Sequence, residues 1–275
     1  MLSKTTDVFS SNRLHKINMP DPPKSTLKDI DLKITEIDGR KVYTLSPKKN
    51  KADKYILFFH GGAYVINFTL YHWRMLAQLV RETGFTITAP DYPLLPDYTY
   101  KERIAMAQKL YNSLLNHASP RNIFFMGDSS GGNLALSLAQ KLLYDGISQP
   151  RHIVLLSPWL DVSMSNPKIK EVDKRDPYLA TNGDQLGRMH AGDRDMKDYL
   201  VSPMYGPVKG LVEISLFTGT DEILNPDAHK FKDLANTQGV TINFYEYEHM
   251  IHDWILFPIP EAKKAFKQVI AIIKR

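Results

Sequence analysis

The sequence predicts an α/β protein with a mostly parallel central sheet and helices on both faces. Three observations carry this. Short apolar runs alternate with longer segments of helical periodicity over most of the chain. The apolar runs are too short for helices and read as strands buried on both sides, as a parallel sheet requires. Two alternating segments at residues 28–46 flank Asp38-Gly39, a two-residue turn signal, and predict a hairpin adding antiparallel strands at one edge.

In chain order, strands are expected at residues 55–59, 85–89, 123–126, 153–156, 214–217 and 240–247. Helices are expected at 68–83, 100–117 and about 130–145. In the third, Leu134, Ala135, Leu138, Ala139, Leu142 and Leu143 form one face and Gly146 is the stop. A last helix presents Ala262, Ala265, Phe266, Val269, Ile270 and Ile273. Residues 160–200 break the alternation and are rich in charge, Gly and Pro. With the polar arm 1–25 they are expected to form a cap over the C-terminal edge of a single domain.

The 275 residues are 43% hydrophobic, enough for a core without staples. The absence of cysteine excludes disulfides, thiolate metal sites and a cysteine nucleophile. Lys+Arg 35 against Asp+Glu 30 gives a net charge of +5. The basic residues are scattered, chiefly Lys48, Lys49, Lys51, Lys54 and then Lys263, Lys264, Lys267, Lys274 and Arg275. A nucleic-acid partner would want a denser stripe with interleaved aromatics. No apolar run reaches signal-peptide or membrane-span length. A cytoplasmic protein without a stable membrane anchor is the expectation, and a homodimer stays open. Asn67-Phe68-Thr69 is read as a chance glycosylation triplet.

The chemistry-bearing motif is Gly127-Asp128-Ser129-Ser130-Gly131-Gly132, between an apolar strand and an amphipathic helix. A serine at such a tight turn is held in strained backbone and needs tiny neighbours. The following helix points free N–H groups and the positive end of its dipole at the hydroxyl. This makes Ser129 the candidate nucleophile.

Acyl transfer also needs preorganised N–H donors for the oxyanion. His60-Gly61-Gly62-Ala63-Tyr64 follows the strand at 55–59, and the candidates are the N–H groups of Gly61, Gly62 and Ser130, with His60 propping the loop. In the chain order Ser, acid, His, the carboxylate should follow a late strand. Thr218-Gly219-Thr220-Asp221-Glu222 does, and Asp221 is the candidate, with Glu222 its neighbour of the same chemistry. Glu248-His249-Met250-Ile251-His252-Asp253-Trp254 offers two bases, His249 straight off the strand and His252 deeper in the loop. His15, His72, His117, His152, His190 and His229 lack matching partners and His-x-x-x-His metal spacing.

From about residue 55 onward these pieces resemble the hormone-sensitive-lipase-like esterases, bacterial family IV of the lipolytic enzymes, with an α/β-hydrolase fold. The family's His-Gly-Gly-Gly is similar to His60-Gly61-Gly62-Ala63, with alanine in the fourth place. Its Gly-Asp-Ser-Ala-Gly-Gly is similar to Gly127–Gly132. Asp91-Tyr92-Pro93-Leu94-Leu95-Pro96, Ser157-Pro158-Trp159-Leu160-Asp161 and Val201-Ser202-Pro203 also resemble family segments. The acid motif Asp-Pro-Leu corresponds to Asp221-Glu222-Ile223-Leu224. Gly-Met-x-His corresponds to His249-Met250-Ile251-His252, which implies His252 as the base.

The resemblance implies a Ser129, His252, Asp221 triad hydrolysing short-chain carboxylic esters through an acyl-enzyme, without metal or organic cofactor. Activity should rise through about pH 6–8 as the histidine loses its proton. Tyr64, Trp159, Leu160 and Tyr205 are the candidate pocket walls. The same groups would serve an amidase, a peptidase or a sugar or xenobiotic deacetylase. A non-catalytic small-molecule receptor is the remote alternative, and such proteins typically lose a triad member.

Overall fold

A computed structural model describes residues 17–179 and 183–275. Most of the arm expected as part of the cap lies outside the described residues. Eight strands form one sheet in the order β1-β2-β4-β3-β5-β6-β7-β8. The strands are β1 (Ile30–Ile37), β2 (Arg40–Pro47), β3 (Tyr55–Phe59), β4 (Thr86–Pro90), β5 (Ile123–Asp128), β6 (His152–Leu156), β7 (Ile214–Gly219) and β8 (Asn243–Tyr247). The long helices are α1 (Leu70–Thr83), α2 (Tyr100–Leu115), α3 (Ser129–Tyr144), α6 (Asn225–Thr237) and α7 (Pro260–Lys274).

The hairpin β1–β2 turns at Asp38 and Gly39, both with positive φ, and pairs antiparallel onto β4. From β4 to β8 all pairing is parallel. The central strands are buried on both faces. In β3, Leu57 and Phe59 pack into the core beneath α2 and α3, while Ile56 and Phe58 pack beneath α1 and α7. Alternate residues point to opposite faces, so a strand covered on both sides must be apolar throughout.

Local chemistry sets the helix starts. Thr69 and His72 form a reciprocal cap at α1, and Thr99 and Glu102 one at α2. Gly84, in the left-handed conformation, ends α1. Met19 lies against α1, its carbonyl accepting from the Trp73 indole at 2.7 Å.

Two sequence expectations need correction. Helix α6 was not anticipated, because its sequence is polar and opens on Asn225-Pro226; its apolar contribution to the core is the narrow stripe Ala228, Phe231 and Ala235, with Leu234 partly buried beside it. Strand β8 is shorter than residues 240–247, since α6 ends in a turn at Gly239 that occupies the approach to it.

The segment between β6 and β7 holds two short helices, α4 (Ile169–Val172) and α5 (Asp184–Ala191). It lies across the C-terminal ends of the strands. Ile223 N–H donates to Asp176 Oδ2 at 3.0 Å, and His190 stacks on Tyr64 at 4.2 Å. No described helix is long and apolar enough to cross a membrane.

Candidate active site

Ser129 is the first residue of α3 and has φ 49°. Such a conformation is costly for a side chain with a Cβ and persists only when its surroundings enforce it. Here they do: α3 leaves β5 so closely that a Cβ on Gly127 would lie 2.4 Å from the Gly131 carbonyl oxygen, and it passes β3 so closely that a Cβ on Gly131 would lie 2.0 Å from the Phe59 carbonyl oxygen. The Ser129 Oγ is thereby lifted to 2.9 Å from His252 Nε2.

His252 is held from its other side by a carboxylate, and that carboxylate is Glu222, not Asp221. Glu222 Oε2 lies 2.8 Å from His252 Nδ1, and both side chains are buried. Its second oxygen accepts from the Thr218 hydroxyl at 2.6 Å and the Gly219 N–H at 2.9 Å. The strand end and the acid therefore lock each other.

Asp221 is directed to Arg175 and His249 rather than to His252. Its N–H is tied to the Met250 carbonyl, and its carboxylate meets Arg175 at 3.2 Å and His249 at 3.4 Å. The turn after β7 sends adjacent residues to opposite sides, and the longer side chain reaches the imidazole. His249, with its side chain 76% exposed, has no contact with Ser129, so of the two histidines the structure brings His252 to the serine.

The oxyanion loop also differs by one residue from expectation. The Gly61 N–H donates to the buried Asp128 Oδ2 at 2.9 Å and so is not available to an oxyanion. Asp128 also holds His72 Nε2 at 3.0 Å, tying the loop to α1. Among the described residues, the N–H groups of Gly62, Ala63 and Ser130 have no hydrogen-bond partner. Gly62 has φ 117°, and a Cβ there would approach the Ile66 carbonyl oxygen to 2.6 Å. His60 stacks on Tyr92 at 4.2 Å, and burial, then the neighbouring His72, pushes its pKa down to about 3. It props the loop as a neutral ring.

Of the expected pocket walls, Tyr64, Trp159 and Leu160 are buried and Tyr205 is half-buried. Tyr64 and Leu160 are fully buried. Tyr64 donates to Asn133 at 2.8 Å and packs against Arg103 and His190, which are themselves hydrogen-bonded. Trp159 is also buried and donates its backbone N–H to the Ser129 carbonyl. Tyr205 donates to Asp161 at 2.7 Å. Aromatic residues after a strand end read alike as wall or core until burial is known.

The Tyr178 ring lies 6.5 Å from the His252 ring, with Phe257 beside it and Tyr71 against Phe257. Tyr71 and Tyr178 are each 38% exposed. Nothing in periodicity marks them. Among the described residues no group of three or more acidic or histidine side chains could hold a metal ion.

A serine on a strained strand-to-helix turn, with imidazole, buried carboxylate and free amides around it, defines a nucleophilic hydrolase site. The family described as alpha/beta hydrolase fold matches residues 56–256, and the chain belongs to it. Within it the chain is a carboxylic ester hydrolase of the hormone-sensitive-lipase-like type. It is 31% identical over 241 residues to a triacylglycerol lipase of Mycobacterium tuberculosis, covering 87% of this chain and 50% of the relative. It thus spans about half the length of that relative. An esterase of Acinetobacter venetianus is 28% identical, covering 90% of this chain and 82% of the relative. The crystal structure of an esterase from the bacterial hormone-sensitive lipase family superposes with TM-score 0.85 at 26% identity, covering 94% of this chain and 86% of that one.

Proposed function

We propose that the protein hydrolyses short-chain carboxylic esters through an acyl-enzyme on Ser129, with His252 as the base and Glu222 as the acid. One observation carries the reading: the unbroken relay from Glu222 Oε2 to His252 Nδ1 at 2.8 Å and from His252 Nε2 to Ser129 Oγ at 2.9 Å. Glu222 accepts the Nδ1–H, fixes the tautomer and leaves Nε2 free to take the serine proton. As Ser129 attacks the carbonyl carbon, the carbonyl electrons move to oxygen. Gly62, Ala63 and Ser130 donate to that oxyanion, each such donor being worth about 3 kcal/mol of barrier. His252 then passes the proton to the leaving alcohol, and water repeats the cycle on the acyl-enzyme.

Enclosure of the serine, only 6% exposed, favours a small acyl group. The segment 160–200 acts as the cap, with Tyr178 at the entrance. A fluorophosphonate probe should label Ser129. In a panel of p-nitrophenyl esters and aminoacyl-nitroanilides, turnover should fall with acyl length and be low on amides. Intact protein without labelling, or with amide turnover exceeding ester turnover, would refute the reading.

A further inference from the structure

His252 has a third polar neighbour that the relay does not use. The Asp253 Oδ2 lies 3.2 Å from the same Nε2 that faces Ser129. Asp253 is held there by its backbone, with φ 54° and its N–H on the Ser157 hydroxyl at 3.3 Å. One ring nitrogen carries either one lone pair or one proton. With a lone pair it accepts the Ser129 hydroxyl, and an ionised Asp253 then faces that lone pair without a hydrogen between. With a proton it donates to Asp253, and Ser129 loses its base.

We propose that Asp253 is a second carboxylate partner of the catalytic imidazole, holding the Nε2 proton on the substrate side in competition with Ser129 and so setting the pH at which the site turns on. The inference rests on the assignment of His252 as base. The surroundings agree with it. The ring meets Glu222 from the loop after β7, Asp253 from its own loop, and Tyr178 from the segment over the strands. Asp128, at the end of β5, adds negative charge near Asp253, while His72 on α1 is already paired with Asp128.

Burial alone would push the His252 ring down, but the charge and hydrogen bond of Asp253, followed by those of Glu222, hold it well above 6.5. Burial likewise lifts Asp253 above the ordinary carboxylate range, against the pull of the imidazolium. In the reaction the Ser129 proton moves to Nε2 as Oγ bonds the carbonyl carbon, and Asp253 accepts a hydrogen bond from the resulting Nε2–H. That proton then leaves with the alcohol. Asp253 thus favours the imidazolium in the resting site and in the transition state alike.

The test is the pH dependence of kcat/KM on p-nitrophenyl acetate for the wild type, Asp253→Asn and Asp253→Gly. Both replacements tolerate positive φ, so the backbone can stay. The activity onset should move toward acid by about one unit or more in both, the usual effect of removing an adjacent opposite charge. The alkaline plateau should fall. Onsets that superpose on the wild type would overturn the proposal. Nitrogen NMR of the wild type gives a variant-free check: Nε2 should remain protonated beyond the ordinary imidazole value of 6.5, and an unprotonated Nε2 there counts against it. A wild type that neither labels nor turns over would instead sink the assignment of the base.

Discussion

The turn after β5 and the turn after β7 each deliver one group to the same imidazole, yet only the first was readable in advance. Around Ser129 the backbone has almost no choice. Gly131 passes under the Phe59 carbonyl where a Cβ would sit 2.0 Å from oxygen, so glycine spacing and nucleophile position are one constraint. After β7, two carboxylates stand side by side, and either could follow a strand end. Which one reaches the imidazole is settled by Thr218 and Gly219 binding Glu222, and by Met250, Arg175 and His249 holding Asp221 away from it. Steric necessity writes itself into residue types, whereas a choice between equal chemistries depends on partners distant in the chain.

This contrast can be broken by substitution. Ser129→Ala should lower kcat by at least about 10⁴-fold with the fold intact by circular dichroism, since nothing replaces the nucleophile. Glu222→Gln should cost about 10³- to 10⁴-fold in kcat, because the wrong tautomer then faces the serine. Gly62→Ala should cost about 10²-fold in kcat by displacing one oxyanion donor, and should lower the melting temperature as well, since its Cβ would meet the Ile66 carbonyl oxygen. Asp221→Asn should change kcat/KM only a few-fold, as expected of a partly exposed ion pair. If Asp221→Asn proves as damaging as Glu222→Gln, the acid has been assigned to the wrong residue.

The pH profile sharpens the same point. The base must be neutral to act, and its two carboxylate neighbours hold it protonated above the usual imidazole range. The onset of activity is therefore expected well above the ordinary imidazole value of 6.5, later than the sequence alone suggested. Half-activity near pH 6 in a pH-stat assay would contradict the observed pairing.

Much of the framework was legible because burial forces composition. β3 to β7, the hairpin and the long helices other than α6 carry apolar periods that only one fold satisfies. Helix α6 escaped because the apolar stripe that seats it is narrow and set in a polar sequence. The shift of the oxyanion donors from Gly61 to Ala63 escaped for another reason. It depends on a carboxylate, Asp128, that lies 67 residues away and takes the first N–H for itself. Tyr178 and Phe257 escaped because the loops that carry them have no period, and Tyr71 because it lies on the exposed side of α1.

The order of strands has a further outcome. Nucleophile and oxyanion loop hang from β5 and β3 in the interior of the sheet, while the base follows β8, a half-exposed border strand. Borders fray before centres. On gentle heating, turnover should vanish while ellipticity is still native, and cooling should restore it: the catalyst would be disarmed at its rim before it melts.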